Sequence, residues 1–316
     1  MLRSLLVGGV SLFLAAVMPV LVLEPMEVHQ ADDRLLIIET AESEKSSCAD
    51  LKILTEGQIR SIPLEEYLVG VLISEMPLSF HPEALKAQTV AARTFAVKQL
   101  SGGKHDNFDV CDQSSCCQAW NSMDKLQEKL GDTFVSCLRK AEQAVYDTKG
   151  ETIQYDGSCI DAVYFSCSGG MTEDAVVVWG TDVPYLKSVD SPNEEKADKF
   201  NSVVKISPRD FMEQMGRKDL EGGAEAWFGD TVRSEAGSVI RIKIGEKYHS
   251  GEELREKLHL NSTNFTVDTT GDQILFHVRG YGHRVGMSQY GANAMALNGA
   301  TYREIIYHYY RGVEIQ

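Results

Sequence analysis

Two prolines mark the starts of two helices, and this helical pair constrains the fold more than any other feature of the sequence. Pro63 precedes an apolar series with helical spacing that runs to Glu75, and Pro82 opens an alanine-rich helix. Proline suits the first helical turn because its φ is fixed near the helical value and the N–H that it lacks would be unpaired there. Pro77 disfavours helical geometry at Met76. The sequence therefore predicts a helical hairpin with Glu75 at its turn.

Strands and helices are mixed through the rest of the chain. Residues 51–62 alternate like a β-hairpin, residues 124–146 have helical spacing, and residues 238–244 and 274–278 have the pattern of strands. This order is not the regular alternation that builds a parallel α/β sheet. We therefore expect an α+β fold.

The N-terminus carries an apolar run that separates it from the remainder. Residues 5–23 contain no charge and follow Arg3, which is typical of a transmembrane helix whose following chain lies outside the cytoplasm. We predict a membrane anchor over residues 1–23, an acidic stalk over 24–50 and the folded domain over 51–316. The predicted location is the cell membrane, with a single span and the folded domain outside the cytoplasm. A cleaved signal peptide is the alternative.

The charge of the chain excludes one large class of function. Asp and Glu number 46 against 31 Lys and Arg, which gives a formal net charge of −15. Such a surface repels polyanions, so nucleic-acid binding is not expected as the main function. An anionic ligand would need a local basic pocket.

Glu75 is the candidate acid. It follows the apolar run that ends the first helix, so its side chain is expected to leave from the edge of a packed core. Desolvation raises the pKa of a carboxyl group, which can then stay protonated near neutral pH. A general acid toward a glycosidic oxygen needs this property.

Several blocks of sequence carry a resemblance to a known family. They are Ser74-Glu75-Met76-Pro77, Ala91-Ala92-Arg93-Thr94, Phe165-Ser166-Cys167-Ser168-Gly169-Gly170-Met171-Thr172-Glu173, Pro184-Tyr185-Leu186-Lys187 and Gly282-His283-Arg284-Val285-Gly286-Met287. In this order they resemble the stage II sporulation protein D family. Arg284 stands where glycine is common in that family, and we expect it to narrow or charge the cleft.

The resemblance implies a membrane-anchored lytic transglycosylase. Such an enzyme would cut peptide-stripped peptidoglycan strands between N-acetylmuramic acid and N-acetylglucosamine, leaving 1,6-anhydro ends, during engulfment between the mother-cell and forespore membranes. The resemblance assigns Glu75 as the catalytic acid and Arg93, Tyr185 and Lys187 to the substrate site. It also implies two partners: a sporulation amidase or endopeptidase that strips stem peptides, and a multi-span membrane protein.

The residues themselves leave some of these roles open. Arg93 could bind a muramyl lactyl carboxylate, pair with Glu75, or be an ordinary surface charge; the first is favoured, because a close arginine would lower the pKa of the acid. Tyr185 could equally be a core aromatic residue. Ser168, Gly169 and Gly170 are expected to let the backbone approach the glycan, and His283 is a candidate lining residue.

A single carboxylate suits a transglycosylase. Hydrolytic glycosidases ordinarily need two, whereas attack by the substrate's own 6-hydroxyl requires no activated water. The alternatives are a non-catalytic wall-binding protein that enhances an amidase, and a hydrolytic muramidase, for which Glu173 is the only nameable second carboxylate.

A histidine and several cysteines form a candidate metal site. Five residues separate His105 from Cys111 and Cys111 from Cys117, with Cys116 as a spare, and zinc favours such imidazole and thiolate ligands. Clostridial-type members of the resembled family carry this pattern as a zinc site. We expect Zn²⁺ with a structural rather than catalytic role. A disulfide among Cys111, Cys116 and Cys117 is the alternative.

Overall fold

The predicted helical hairpin is present in the computed structural model, which describes residues 50–316 of the chain. The first helix ends because Met76, which precedes Pro77, is extended, with φ −132° and ψ 139°. The second begins with Pro82 in its first turn, and the side chain of His81 accepts a hydrogen bond from the Glu83 N–H. This part of the prediction is confirmed.

The helices of residues 50–316 are short, apart from the second. They are α1 (Leu64–Glu75), α2 (Pro82–Leu100), α3 (Met123–Leu130), α4 (Phe134–Asp147), α5 (Ala175–Trp179), α6 (Pro208–Met215), α7 (Gly251–Lys257), α8 (Gln289–Leu297) and α9 (Tyr302–Tyr309). The helix predicted over 124–146 is broken into α3 and α4, because Gly131 has a φ of +51°, which ends α3.

The strands form several small sheets. They are β1 (Asp50–Thr55), β2 (Gln58–Pro63), β3 (Val110–Cys111), β4 (Ile153–Tyr155), β5 (Ser158–Cys159), β6 (Tyr164–Phe165), β7 (Gly170–Met171), β8 (Asp190–Ser191), β9 (Asn201–Ile206), β10 (Phe228–Arg233), β11 (Val239–Ile244), β12 (Lys247–Ser250), β13 (Phe265–Thr270), β14 (Gln273–Arg279), β15 (Met287–Ser288) and β16 (Glu314–Ile315). The sheet orders are β2-β1-β3, β10-β11-β12, β13-β14-β9, β16-β4-β5, β15-β6 and β7-β8. The predicted hairpin and the two predicted strands are confirmed as β1–β2, β11 and β14. The mixed α+β class is confirmed with them.

Helix α2 joins two hydrophobic clusters. One face, including Ala84 and Ala91, packs with α8 and α9, while Leu85 and Ala96 pack with α1 and α4. Small alanine side chains let these helices approach on both sides. A third cluster, centred on Phe211 and the β9, β11, β13 and β14 strands, forms a separate core.

The predicted transmembrane helix and single-pass membrane location require correction. No helix within residues 50–316 is long and apolar enough to cross a bilayer. The longest, α2, has 19 residues but carries charged side chains such as Glu83, Lys86 and Lys98. The run assigned to the anchor, like residues 24–49 of the stalk, lies outside the described residues. The structure therefore does not support either prediction.

The buried carboxylate of Glu194 joins three segments of the chain: the glycine-rich block, β8 and β15. One oxygen accepts hydrogen bonds from the Ser168 N–H (2.8 Å), the Ser168 hydroxyl (2.8 Å) and the Gly169 N–H (2.9 Å). The other accepts from the hydroxyls of Ser191 (2.7 Å) and Ser288 (2.5 Å). Gly291 permits this arrangement, because a Cβ there would lie 2.1 Å from the Ser191 hydroxyl.

Removing this carboxylate is expected to destabilise the fold strongly. Glu194→Ala leaves five buried donors without their acceptor. The expected loss is about 3 kcal/mol or more of unfolding free energy, which corresponds to roughly 6–12 °C in Tm. Thermal unfolding followed by circular dichroism measures the shift. Glu195→Ala, which changes an exposed neighbour, is the matched control, and an equal effect of both variants would contradict this account.

Candidate functional site

Glu75 lies in a cleft of about 550 Å³. The cleft is lined by Glu75, Pro77, Phe95, Ser114, Cys117, Gln118, Ala162, Val163, Tyr164, Phe165, Ser166, Arg255, Tyr281, Gly282, His283, Gln289 and Tyr290. The backbone carbonyl of Glu75 accepts a hydrogen bond from the Gln289 side chain (3.1 Å), which ties the end of α1 to the start of α8. The parallel pairing of β6 with β15, with Tyr164 opposite Met287, aligns two further wall segments. The cleft is therefore fixed by long-range pairing.

The carboxyl group of Glu75 is electrostatically suited to hold a proton. Burial is the largest influence and raises its pKa above the ordinary glutamate value, although hydrogen bonds from the Ala119 N–H and the Tyr164 hydroxyl oppose that shift. The Ala119 N–H lies 2.5 Å from Oε1. Within residues 50–316, Glu75 is the only carboxylate that lines the cleft.

A series of hydrogen-bonded polar side chains leads to the carboxyl group of Glu75. The Tyr67 hydroxyl donates to Oε1 of Gln118 (3.0 Å), and the Gln118 amide donates to the Tyr164 hydroxyl oxygen (3.0 Å). Because the oxygen of Tyr164 already accepts, its own proton is available for the carboxylate of Glu75. Neither Gln118 nor Tyr164 belongs to a motif with a fixed spacing, so the sequence alone did not indicate a role for them.

His283 lies in the cleft, as the sequence analysis expected. Nδ1 accepts from the Val285 N–H (3.2 Å), so Nε2 carries the proton that it donates to the Tyr164 carbonyl (3.1 Å). Burial, together with the charge of Arg255, lowers its pKa to about 4. His283 is therefore neutral at physiological pH and adds no positive charge to the cleft.

Arg93 is not among the residues that line the cleft. Its side chain is 1% exposed and makes a bidentate ion pair with Glu65, at 3.1 and 2.7 Å. Further bonds to the Val145 carbonyl and the Thr148 hydroxyl complete its surroundings. In this position Arg93 joins α1, α2 and α4. Its contact with the substrate stays a prediction.

Tyr185 and Lys187 also lie away from the cleft lining. The Tyr185 hydroxyl accepts from the Asp161 N–H (3.1 Å), and its ring packs against Tyr155 with centroids 5.5 Å apart. The ammonium group of Lys187 forms ion pairs with Asp182 and Asp174. Their predicted roles in substrate binding stay predictions.

The glycine-rich block contacts the protein itself. Ser168 and Gly169 are buried and bind Glu194, and the Gly170 N–H donates to the Ser168 hydroxyl (2.9 Å). A Cβ on Gly169 would lie 2.9 Å from Cγ of Arg279. Gly169 therefore permits the close approach of β14. A contact between the glycine-rich block and the glycan stays a prediction.

Arg284 neither narrows nor charges the cleft, because it is fully buried elsewhere. Its guanidinium donates to the carbonyls of Ser168, Met171 and Ala236 and to the Ser238 hydroxyl, and it lies 3.4 Å from Glu173. Its φ of +68° lies in the left-handed region that favours glycine. Glu173 is 1% exposed and is not part of the cleft.

His105, Cys111 and Cys117 come together as predicted, and Cys116 joins them. One ligand atom from each of the four lies within 4.8 Å of the others. Nε2 of His105 is 3.3 Å from Sγ of Cys117 and 3.6 Å from Sγ of Cys116, and the two sulfurs are 4.0 Å apart. None of the cysteines between residues 50 and 316 is in a disulfide. Cys117 also lines the cleft, so the cluster adjoins the site of Glu75.

The fold and the site together define an α+β protein with one partly desolvated acid in an open cleft. The sequence model of the stage II sporulation protein family matches residues 54–155. Stage II sporulation protein D of Bacillus subtilis is 38% identical over 282 residues, which cover 87% of this chain and 81% of the relative. The protein of the same name from Bacillus amyloliquefaciens is 38% identical over 260 residues, 81% of this chain and 75% of the relative. The chain therefore belongs to the stage II sporulation protein D family, and the resemblance is confirmed.

A more distant relative carries a different name. A Bacillus subtilis protein named amidase enhancer is 31% identical over 305 aligned residues, 78% of this chain but 40% of that longer protein. The similarity thus extends to one protein named for an effect on an amidase.

Removing the Tyr164 hydroxyl is expected to raise the pKa of Glu75 further. A hydrogen bond donated to a carboxylate stabilises the charged form, so the variant Tyr164→Phe loses an influence that lowers this pKa. An NMR titration of the chain with carboxyl-labelled glutamate measures the shift. Tyr281→Phe changes another tyrosine of the same cleft and should leave the titration unchanged. An unchanged or lower pKa in Tyr164→Phe would be inconsistent with this network.

Proposed function

We propose that this chain is a lytic transglycosylase that cuts peptidoglycan glycan strands between N-acetylmuramic acid and N-acetylglucosamine during endospore formation. The observation that supports the reaction class most strongly is the lone carboxyl group of Glu75 in the cleft, with its pKa raised by burial. Membership of a sporulation protein family supports the biological setting.

The proposed reaction needs one acid–base group. Glu75 donates its proton to the glycosidic oxygen that leaves with N-acetylglucosamine as the bond to C1 of muramic acid breaks. The 6-hydroxyl of the same muramic acid then attacks C1, and its proton passes to the Glu75 carboxylate. A 1,6-anhydro ring forms, no water is consumed, and the acid is regenerated.

A hydrolytic muramidase is less well supported. Hydrolysis ordinarily requires a second carboxylate, about 5–9.5 Å away, to attack the sugar or to activate water. Glu173, the candidate for that role, is engaged with Arg284 and with the hydroxyl of Ser234 (2.6 Å). No other carboxylate of residues 50–316 lines the cleft.

The lining residues suit a carbohydrate. Aromatic side chains such as Tyr281, Tyr290 and Phe165 lie beside polar groups from Gln118 and Ser166, the combination of apolar surface and few hydrogen-bonding groups that is typical of ligand clefts. The proposed substrate is a strand without stem peptides. A peptidoglycan amidase or endopeptidase that removes those peptides is accordingly the proposed partner.

The second candidate is a non-catalytic enhancer of an amidase, for which the similarity to the protein named amidase enhancer is the supporting observation. Both candidates would bind the glycan in the same cleft. They differ in whether the proton of Glu75 matters.

The reaction is tested by replacing the acid with its neutral isostere. Glu75→Gln is expected to slow the release of 1,6-anhydro ends from peptide-stripped strands about 10²–10⁴-fold, measured by mass spectrometry of the products. Glu66→Gln is the matched control, because it changes an exposed glutamate of the same helix. Equal rates in Glu75→Gln and the unmodified chain would contradict the proposed mechanism. Absence of cleavage by either, with amidase stimulation retained, would favour the enhancer.

We also propose that the His–Cys cluster binds zinc. In a tetrahedral zinc site, Zn–S distances near 2.3 Å and Zn–N distances near 2.0 Å place neighbouring ligand atoms about 3.5–3.8 Å apart. The separations of 3.3–4.0 Å among His105, Cys116 and Cys117 fit this requirement. Four protein ligands would close the coordination sphere, so the ion would act structurally. It would hold the segment after Cys117, from which Ala119 donates to Glu75.

The number of zinc ions bound per chain is expected to depend on the cysteines of the cluster. The chain purified under reducing conditions with zinc should retain about one ion, and Cys117→Ser and Cys116→Ser should bind it more weakly, as measured by atomic emission. Cys159→Ser removes a free thiol outside the cluster and should leave binding unchanged. No bound zinc in the unmodified chain, or a disulfide within the cluster in peptide mapping, would contradict the proposal.

A further inference from the structure

The proposed substrate carries a repeated negative charge. Once its stem peptide is removed, each muramic acid keeps a lactyl group whose carboxyl group is ionised at neutral pH. The chain has a net charge of −15, so its overall field opposes an approaching polyanionic strand. Binding such a strand therefore calls for a cation inside the cleft.

Arg255 is the only positively charged side chain of residues 50–316 that lines the cleft at neutral pH. His283, the other basic residue there, is neutral, and both of its ring nitrogens have hydrogen bonds within the protein. The sequence motifs pointed to Arg93 and Lys187, but those two cations are paired with Glu65 and with Asp182. The cation in the cleft thus comes from a part of the chain with no recognised motif.

Arg255 follows a buried residue, and its own side chain stays partly exposed. It lies on α7 directly after Leu254, which is fully buried in the third hydrophobic cluster. One guanidinium nitrogen, Nη1, donates to Glu252 at 2.9 Å, and the side chains of the two residues are 23% and 40% exposed. A guanidinium has five N–H donors, so this pair leaves donors for a second carboxylate. The ion pair occupies one guanidinium nitrogen and is part-buried, so Glu252 and a bound carboxylate would compete for Arg255.

We propose that Arg255 binds the lactyl carboxylate of muramic acid and thereby makes the cleft selective for strands without stem peptides. This assignment rests on the proposed function. In a strand that keeps its peptides, the lactyl carboxyl is an amide with neither the charge nor the second oxygen that a guanidinium binds bidentately. Arg255 is a specificity residue and takes no part in the proton transfer at Glu75.

The test compares two ligands that differ only in this carboxyl group. One is a preparation of fluorescently labelled, peptide-stripped glycan strands; the other is the same preparation after carbodiimide coupling of its carboxyl groups to methylamine. Dissociation constants are measured by fluorescence anisotropy with the full-length Glu75→Gln chain, which retains Arg255 but should not cut the strands. We expect at least about a tenfold preference for the carboxylate strands, which corresponds to about 1.4 kcal/mol.

Adding Arg255→Gln should abolish this preference by weakening binding of the carboxylate strands alone. Arg255→Lys should give an intermediate preference, because it keeps the charge but loses bidentate bonding. Glu252→Gln should strengthen binding of the carboxylate strands, because it removes a competitor. Lys257→Gln is the matched control, since it removes an equal charge from the same helix at a residue paired with Glu253.

Loss of affinity for both ligands in Arg255→Gln, or the same loss in Lys257→Gln, would overturn the assignment. The outcomes also separate this assignment from the proposed reaction. A carboxylate preference that depends on Arg255, with no anhydro ends released by the unmodified chain, would keep the assignment and reject the reaction. Anhydro ends released at equal rates from both strand preparations would keep the reaction and reject the assignment.

Discussion

The buried carboxylate of Glu194 is the interaction on which the arrangement of the site depends. It binds the glycine-rich loop through Ser168 and Gly169, and it binds Ser288 immediately before α8. Ser166, two residues before Ser168, and Gln289, which follows Ser288, both line the cleft. Burying a carboxylate costs free energy unless hydrogen bonds satisfy its oxygens. Folding therefore requires the segments that donate these hydrogen bonds to come together around Glu194. The block that looks like a glycan contact in the sequence thus acts as part of the framework.

The cleft that this framework supports contains few ionisable side chains. It holds one acid with a raised pKa, one neutral histidine and one arginine. A second carboxylate would suit hydrolysis, and a cation in direct contact with Glu75 would hold its pKa down. Arg255 is not among the groups of residues 50–316 that shift the pKa of Glu75, although it does affect His283. An acid whose pKa the cation does not lower can serve proton transfer while the cation binds the substrate.

Local chemistry explains what could be predicted from the sequence and what could not. The helical hairpin follows from the spacing of apolar residues and from Pro77 and Pro82, which act within a few residues. Short motifs likewise predicted the position of Glu75 at the helical turn and the proximity of His105 to Cys117. The pairing of Arg93 with Glu65, 28 positions earlier, has no local signal in the sequence, and the contact of Arg93 with the substrate stays a prediction. Tyr164, Gln118 and Arg255 reach the cleft through strand pairing and packing of distant segments, for which the sequence has no local signal.

The central claim is that the cleft breaks the glycosidic bond with one carboxyl group and without water. Digestion of peptide-stripped strands in water enriched in oxygen-18 tests this most directly, because hydrolysis must transfer a solvent oxygen to each new end. The account predicts new muramic acid ends with no oxygen-18, detected by mass spectrometry as anhydro products. One oxygen-18 atom in each new end would contradict it and would require a second catalytic group that the cleft of Glu75 does not contain among residues 50–316.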